Sequence, residues 1–335
     1  MFLIRDKYKP KSFNDYLIKR DILVYKNLYE HNMCNTVIYG SSGSGKYTFA
    51  MCALQQLYGD DVYKKKTQII KIDSKSGTKE ISVVCSKYHY EIYLNDYILN
   101  NKTSLINVIK EICTTRNVIN NQHKIILIKN GDFILDDNIR VLKNLVETYF
   151  ETCYFMITFN QLSKFNKEFR GIFTYIRIPC SKNNEMMDLL KYISFKENIN
   201  TKETDMKKII DKSKFNLNKL LLLYELSYQN KEYQDIDDPI QTSIYKLTSL
   251  IDQKKAEKII DIRKTLYDLM SKNIVKRSIY KTVLDYYIES KELDLSKKIQ
   301  IVESCAKYQH RSMNCYREII HLEAWLIDVL RILLE

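Results

Sequence analysis

The sequence predicts an α/β domain followed by helical domains, and three observations support this prediction. A short apolar strand at residues 36–39 runs directly into a glycine-rich loop and then into an apolar helix. Predicted strands alternate with predicted helices as far as residue 178, which is the pattern of a parallel sheet built from βαβ units. Beyond Pro179 the strand signals stop, and the remaining chain has the pattern of helices.

The predicted elements follow one another in an order that indicates three domains. The first, residues 1–178, holds the strand at 36–39, a helix at 47–58, a hairpin at 68–72 and 80–84, a strand at 89–94, a helix at 103–116, a strand at 124–128, a helix at 136–150 and strands at 153–159 and 174–178. Residues 179–234 form a small helical domain and residues 235–335 a larger one. The acidic stretch 233–239, which ends in a proline, is the predicted linker.

Composition and charge agree with a largely helical chain that meets a polyanion. The 335 residues include only 7 glycines and 3 prolines, so residues that form turns are scarce. With 53 lysines and arginines against 41 aspartates and glutamates, the formal net charge is +12. This charge favours a polyanionic partner such as nucleic acid, although an AT-rich genome would also enrich the chain in lysine.

Membrane, secretory and zinc-scaffold classes are not indicated. No stretch reaches the ~18 consecutive apolar residues of a membrane span, and the N-terminus becomes charged after four residues, unlike a secretory signal. The eight cysteines show no CxxC spacing, so no structural zinc site is expected. These features predict an intracellular protein with reduced thiols and no metal-binding residues.

The glycine-rich loop at residues 40–46 fits the pattern G-x-x-x-x-G-K and lies between a predicted strand and a predicted helix. Glycines let backbone N–H groups surround a phosphate, and the lysine reaches the β and γ phosphates. The sequence therefore predicts that ATP or ADP, with or without Mg²⁺, is held by this loop and the next two residues: Gly40, Ser41, Ser42, Gly43, Ser44, Gly45, Lys46, Tyr47 and Thr48.

The residues needed for hydrolysis are largely replaced. Tyr47 stands where Ser or Thr normally holds Mg²⁺, and Thr48 follows about 100° further round the helix. The second buried strand is followed by Lys129 and Asn130, at the positions of the metal-binding acid and the water-activating glutamate. Asp132 comes later and starts a turn, or substitutes for the missing acid.

Motifs at both ends of the chain resemble the small subunits of replication factor C, the sliding-clamp loaders of DNA replication. Residues 6–13, DKYKPKSF, resemble the opening DKYRPKSL of these subunits. The segments VIYGSSGSGKYT and FAMCALQQLYG resemble the third small subunit, which also lacks Ser or Thr after the P-loop lysine, and residues 123–149 align with its Walker B strand and next helix. The C-terminal AKYQHRSMNCYREIIHL, followed by Glu323 and Ala324, resembles its "YEHRL…IYHLEA" signature.

This resemblance implies an AAA+ protein, with a P-loop domain containing a parallel five-stranded sheet, a helical lid and a C-terminal helical collar. The implied partners are the other clamp-loader subunits in a hetero-pentameric ring, the sliding clamp and primer–template DNA. The implied location is the nucleus, or the replication site of a large DNA virus. Tyr8, Lys9 and Pro10 would lie against the adenine, and Asn160 matches the asparagine that senses the γ-phosphate.

Two further departures from the family indicate a subunit that binds nucleotide but is largely non-hydrolytic. The arginine finger that would serve a neighbouring ATP falls on Ile172, with Arg170 two residues earlier, and the lid arginine falls on Asn218. A finger is worth about 10³–10⁵ in rate. The alternatives are an active ATPase subunit that uses Thr48 and Asp132, and a DNA-binding initiator or checkpoint protein of the AAA+ class.

Three basic residues are candidates for contact with the DNA backbone. Lys102 aligns with an arginine at a helix start in the relatives, while Arg140 and Lys143 share one face of the helix after the second buried strand. Such phosphate contacts are independent of base sequence and sensitive to salt.

Overall fold

The computed structural model describes residues 3–17, 25, 27–29, 33–74, 77–94, 104–114, 123–134, 136–164, 171–199, 201–229, 239–253, 258–272, 274, 276–291, 293–313, 315 and 317–334. The chain divides into two compact units, Met1–Gln234 and Asp235–Glu335. The predicted boundary between residues 178 and 179 falls inside the first unit and stays a prediction.

The first unit is built on one mixed sheet of seven strands. They are β1 (Thr36–Tyr39), β2 (Lys66–Ser74), β3 (Gly77–Cys85), β4 (His89–Tyr93), β5 (Lys124–Lys129), β6 (Cys153–Phe159) and β7 (Thr174–Arg177), in the order β2-β3-β4-β5-β6-β1-β7. The five strands from β4 to β7 in that order pair in parallel, and the hairpin β2–β3 adds two antiparallel strands beside β4. The predicted fold class is thereby confirmed, with two strands more than the predicted five.

Among the described residues the first unit has seven α-helices, and the sheet packs against helices on both of its faces. The seven helices are α1 (Ile4–Lys7), α2 (Lys46–Tyr58), α3 (Ser104–Thr114), α4 (Asp136–Thr148), α5 (Asn183–Glu197), α6 (Glu203–Ser213) and α7 (Leu217–Gln229). Strand β5 shows why both faces are apolar: Ile126 and Ile128 pack into one core, while Ile125 and Leu127 pack into the core around α2. Continuous apolar runs of this kind are typical of a parallel sheet buried on both sides.

The second unit consists of helices in the residues that the structure describes. They are α8 (Pro239–Asp252), α9 (Ile259–Ser271), α10 (Lys276–Glu289), α11 (Leu295–Met313) and α12 (Glu318–Leu334). Trp325 on α12 is fully buried, with its ring centroid 4.8 Å from that of Tyr280 on α10. No helix within the described ranges is long and apolar enough to cross a membrane.

The strand order brings three functional segments to one edge of the sheet. Strands β5, β6 and β1 are neighbours and run in parallel, so their carboxyl ends lie side by side. The glycine-rich loop follows β1, Lys129 ends β5, and Asn160 follows β6. Open α/β sheets bind their ligands at this edge.

Candidate functional site

The glycine-rich loop has a backbone that only glycine can adopt without strain. Gly43 and Gly45 have φ values of +75° and +92°, in the left-handed region that favours glycine. A Cβ at Gly43 would lie 2.0 Å from Oδ1 of Asn216, and one at Gly40 would lie 2.1 Å from the carbonyl oxygen of Ile178. The loop is therefore tightly fitted against its surroundings.

Two side chains of this loop are suited to a phosphate. Lys46 donates from Nζ to the carbonyl oxygens of Gly40 at 2.8 Å and Ser41 at 2.7 Å, and to Oδ1 of Asn160 at 3.0 Å. Burial lowers the pKa of Lys46. Ser44 is 4 % exposed, and its Oγ has no hydrogen-bond partner among the described residues. A buried hydroxyl without a partner and a lysine that bonds only neutral oxygens both fit a phosphate group.

A cavity of about 490 Å³ opens beside the loop. Of the residues predicted to bind nucleotide, its lining includes Tyr8, Lys9, Pro10, Ser42, Gly43, Ser44, Gly45, Lys46, Tyr47, Thr48 and Asn160. Gly40 and Ser41 do not line it, but their carbonyl oxygens hold Lys46. Leu217, Asn218 and Leu221 of α7 close another side of the cavity. The structure therefore brings the predicted nucleotide residues together around one space.

The N-terminal segment is attached to two helices of the predicted lid. The hydroxyl of Tyr8 donates to Oε1 of Glu197 at 2.5 Å, and Nζ of Lys7 lies 2.6 Å from the same oxygen. The backbone N–H of Ile4 donates to Oε2 of Glu225 at 3.1 Å. Burial, assisted by Glu197, raises the pKa of Tyr8 to about 12, so its hydroxyl stays a donor at neutral pH.

Asp132 orients the end of β6. Its Oδ2 accepts from both the backbone N–H and the side-chain amide of Asn160, each at 2.7 Å, and its Oδ1 accepts from the backbone N–H of Gln161 at 3.1 Å. The amide nitrogen of Asn160 thus points at Asp132, and its oxygen points at Lys46. The sequence suggested a turn or a substitute acid here, but this positioning role was missed.

Charged side chains gather beside Tyr47, the residue after the P-loop lysine. We call Lys9, Lys65 and Lys129 the lysine cluster. Their ammonium nitrogens lie 4.4 Å, 5.1 Å and 4.0 Å from the Tyr47 ring centroid, close enough for cation–π attraction. Lys65 also donates to the hydroxyl of Tyr47.

Glu91 on β4 is the counter-ion of this cluster. Its Oε2 lies 2.6 Å from Nζ of Lys129, and its Oε1 lies 2.7 Å from Nζ of Lys65. Oε1 also accepts from the Tyr47 hydroxyl at 2.9 Å and lies 3.1 Å from Nε2 of His89. Burial alone would raise the pKa of Glu91, but the hydrogen bond from His89 and the charge of Lys129 outweigh it and lower that pKa.

Behind Glu91 a short chain of hydrogen bonds fixes the histidine ring. Because a carboxylate can only accept, Nε2 of His89 donates to Glu91, and its Nδ1 is hydrogen-bonded to Oγ of Ser86 at 2.6 Å. The same Oγ accepts the backbone N–H groups of Tyr88 and His89. Glu91 is therefore held from behind by His89 while it faces the lysines.

The residues present do not fit Mg²⁺, which prefers oxygen ligands in octahedral geometry. The hydroxyl of Tyr47 is directed to Glu91, and the ammonium group of Lys129, at the position predicted for the metal-binding acid, pairs with Glu91. Both carboxylate oxygens of Asp132 already accept hydrogen bonds. Within the described part of the chain, no group of three His, Cys, Asp or Glu residues could hold a metal ion.

The other predicted residues are placed as follows. Arg140 is exposed and Lys143 is half-buried, both on α4, while Lys102 and Arg170 lie outside the described residues. Ile172, at the finger position, is half-buried and packs against the core of the sheet.

Comparisons with known proteins find the following similarities. Residues 241–335 match the family described as "Replication factor C subunit 3, C-terminal domain". Replication factor C subunit 3 of Mus musculus is 27 % identical over 339 residues, covering 97 % of this chain and 94 % of that protein. A putative replication factor C small subunit of Acanthamoeba polyphaga mimivirus is 25 % identical, covering 97 % of this chain and 90 % of that protein. A solved structure of the Thermotoga maritima RuvB Holliday junction branch migration motor aligns with TM-score 0.46 and 10 % identity, over 72 % of this chain and 79 % of that chain.

Proposed function

We propose that this chain, which is similar to replication factor C subunit 3, serves in a sliding-clamp loader as a subunit that binds ATP or ADP without hydrolysing it. The observation that carries the proposal is that one cavity combines an intact phosphate loop with a lysine at the predicted metal-binding position. The phosphate loop keeps its glycines and Lys46, whereas Lys129 stands at the metal-binding position. Such a site would retain affinity for phosphate and, with Lys129 and Asn130 in place of the two acids, would lack the groups that hold Mg²⁺ and activate water.

The engagement of Asp132 supports the non-hydrolytic role over an active ATPase. Its carboxylate accepts three N–H groups from residues 160 and 161. Recruiting Asp132 as a metal ligand or a base would break bonds that orient Asn160. The trans finger position is filled by the half-buried Ile172, so this subunit would not complete a neighbour's site in the usual way.

The proposed partners follow from the family. The chain would join other clamp-loader subunits in a hetero-pentameric ring, through the helical collar at residues 235–335, and would meet the sliding clamp and primer–template DNA. Arg140 and Lys143 on α4, with Lys102, would contact the DNA backbone. The proposed site of action is the nucleus or the replication site of a large DNA virus.

The Lys46→Ala variant tests nucleotide binding directly. We expect it to weaken binding of ADP and ATP to the purified chain about 10- to 100-fold, because a charge-assisted hydrogen bond to phosphate is lost. Isothermal calorimetry is the measurement, and Lys64→Ala, on the exposed ion pair with Asp61, is the matched control. Unchanged affinity in Lys46→Ala would refute the phosphate-loop assignment.

Steady-state ATPase of the assembled complex tests the non-hydrolytic role. With Lys46→Ala in this subunit alone, we expect DNA-stimulated turnover to stay within about twofold of the wild-type complex, since the other subunits supply the chemistry. A loss of about tenfold or more, in a complex whose mass and composition are unchanged, would show that this subunit hydrolyses ATP.

A further inference from the structure

We propose that the lysine cluster replaces Mg²⁺, so that this site binds nucleotide independently of divalent cations. The inference rests on the proposed nucleotide binding and specifies its chemistry. The observation behind it is that an ammonium group, with its own counter-ion, occupies the position where related P-loop proteins place an acid for the metal.

The charge of the cluster matches that of the ion it would replace. Lys9, Lys65 and Lys129 carry three positive charges, and Glu91 carries one negative charge, which leaves +2 over these four groups. Mg²⁺ carries the same formal charge. Two of the cluster's lysines, Lys9 and Lys129, line the cavity together with Lys46.

The cluster is held in position before any ligand arrives. Glu91 is 6 % exposed and binds Lys129 and Lys65 through separate oxygens, at 2.6 Å and 2.7 Å. His89, fixed by Ser86, supports the carboxylate from behind. Because the ammonium groups are already oriented, a phosphate would gain their attraction without the cost of ordering flexible lysines.

The cluster also opposes a metal ion. A divalent cation at the usual position would lie next to the Lys129 ammonium, and the nearby carboxylates of Glu91 and Asp132 are already engaged with other partners. The same repulsion acts on Lys9. Its pKa is lowered first by burial and then by the positive charges of Lys65 and Lys129. A polyanionic ligand relieves that repulsion, whereas Mg²⁺ increases it.

Binding of ADP to the full-length protein, measured by calorimetry in EDTA and again in millimolar MgCl₂, tests the inference. We expect the two dissociation constants to agree within about twofold. Binding that is at least about tenfold tighter with Mg²⁺ would overturn metal independence while leaving nucleotide binding intact. No binding in either buffer would instead refute the proposed function, and this inference with it.

Variants of Lys129 test the contribution of the lysine cluster to ADP binding separately from that of the glycine-rich loop. In EDTA, Lys129→Gln should weaken ADP binding about tenfold, whereas Lys129→Arg, which keeps the charge, should stay near wild type. Lys64→Gln, on the exposed pair with Asp61, is the matched control. Wild-type affinity in Lys129→Gln would overturn the role of the cluster. Thermal unfolding of each variant shows whether the fold is retained, and the comparison of EDTA with MgCl₂ on the wild-type protein keeps the inference testable if the Gln variant unfolds.

Discussion

Replacing Glu91 with alanine is expected to lower the free energy of unfolding of the first unit by about 3 kcal/mol, the scale for removing one partner of a buried ion pair. Glu91 is 6 % exposed and balances Lys65 and Lys129. Without it, two partly buried ammonium groups lose their counter-ion, and the Tyr47 hydroxyl loses its acceptor. Urea unfolding, followed by circular dichroism, measures the change.

Two companion variants isolate the charge of Glu91. Glu91→Gln keeps the shape and part of the hydrogen bonding, so it should cost less than Glu91→Ala. Glu147→Ala, at an exposed position on α4, should change stability by no more than about 0.5 kcal/mol. A Glu91→Ala variant as stable as Glu147→Ala would show that the carboxylate does not stabilise the cluster.

Glu91 also makes the free energy of unfolding of the first unit depend on pH. Its pKa in the folded protein lies below the ordinary value of 4.5, so the unfolded chain takes up the proton first as the pH falls. The contribution of Glu91 to the free energy of unfolding is therefore complete above about pH 4.5 and is lost progressively below it. Urea titrations between pH 6 and pH 3 should show a smaller loss of stability in Glu91→Gln than in wild type.

Replacing Trp325 with alanine is expected to destabilise the second unit by about 3–5 kcal/mol, the usual cost of removing a large buried aromatic side chain. Trp325 is fully buried in the core formed with Leu322, Leu326 and Val329 of the same helix. Its ring also contacts Tyr280, at a centroid distance of 4.8 Å. The cavity left behind would be surrounded by close-packed helices that can collapse only partly. Thermal and urea unfolding of the full-length protein measure the loss.

The same helix provides the control. Ile320 on α12 is 54 % exposed, so Ile320→Ala should change stability by about 0.5 kcal/mol or less. Trp325→Phe, which keeps an aromatic ring, should fall between the two. If Trp325→Ala matched Ile320→Ala, the helical unit would not depend on this core.

Patterns within a few consecutive residues were sufficient to predict much of the fold. The apolar run of β5 predicted a strand buried on both faces, and both faces are buried. The strand, glycine loop and helix at residues 36–58 are contiguous in the chain, so their spacing alone predicted the phosphate loop. The two strands beyond the predicted five come from the hairpin β2–β3, which was recognised as a hairpin but not as part of the sheet.

The sequence by itself predicted the glycine-rich loop, the alternation of strands and helices, and a lysine at the end of β5, because each is a pattern of neighbouring residues. Only the tertiary structure decided which groups surround that lysine. Glu91 lies 44 residues from Tyr47 and 38 from Lys129, and Asp132 lies 28 residues from Asn160. These groups meet because the strand order places β4, β5 and β6 side by side, and no local pattern in the sequence shows which charges will face each other there.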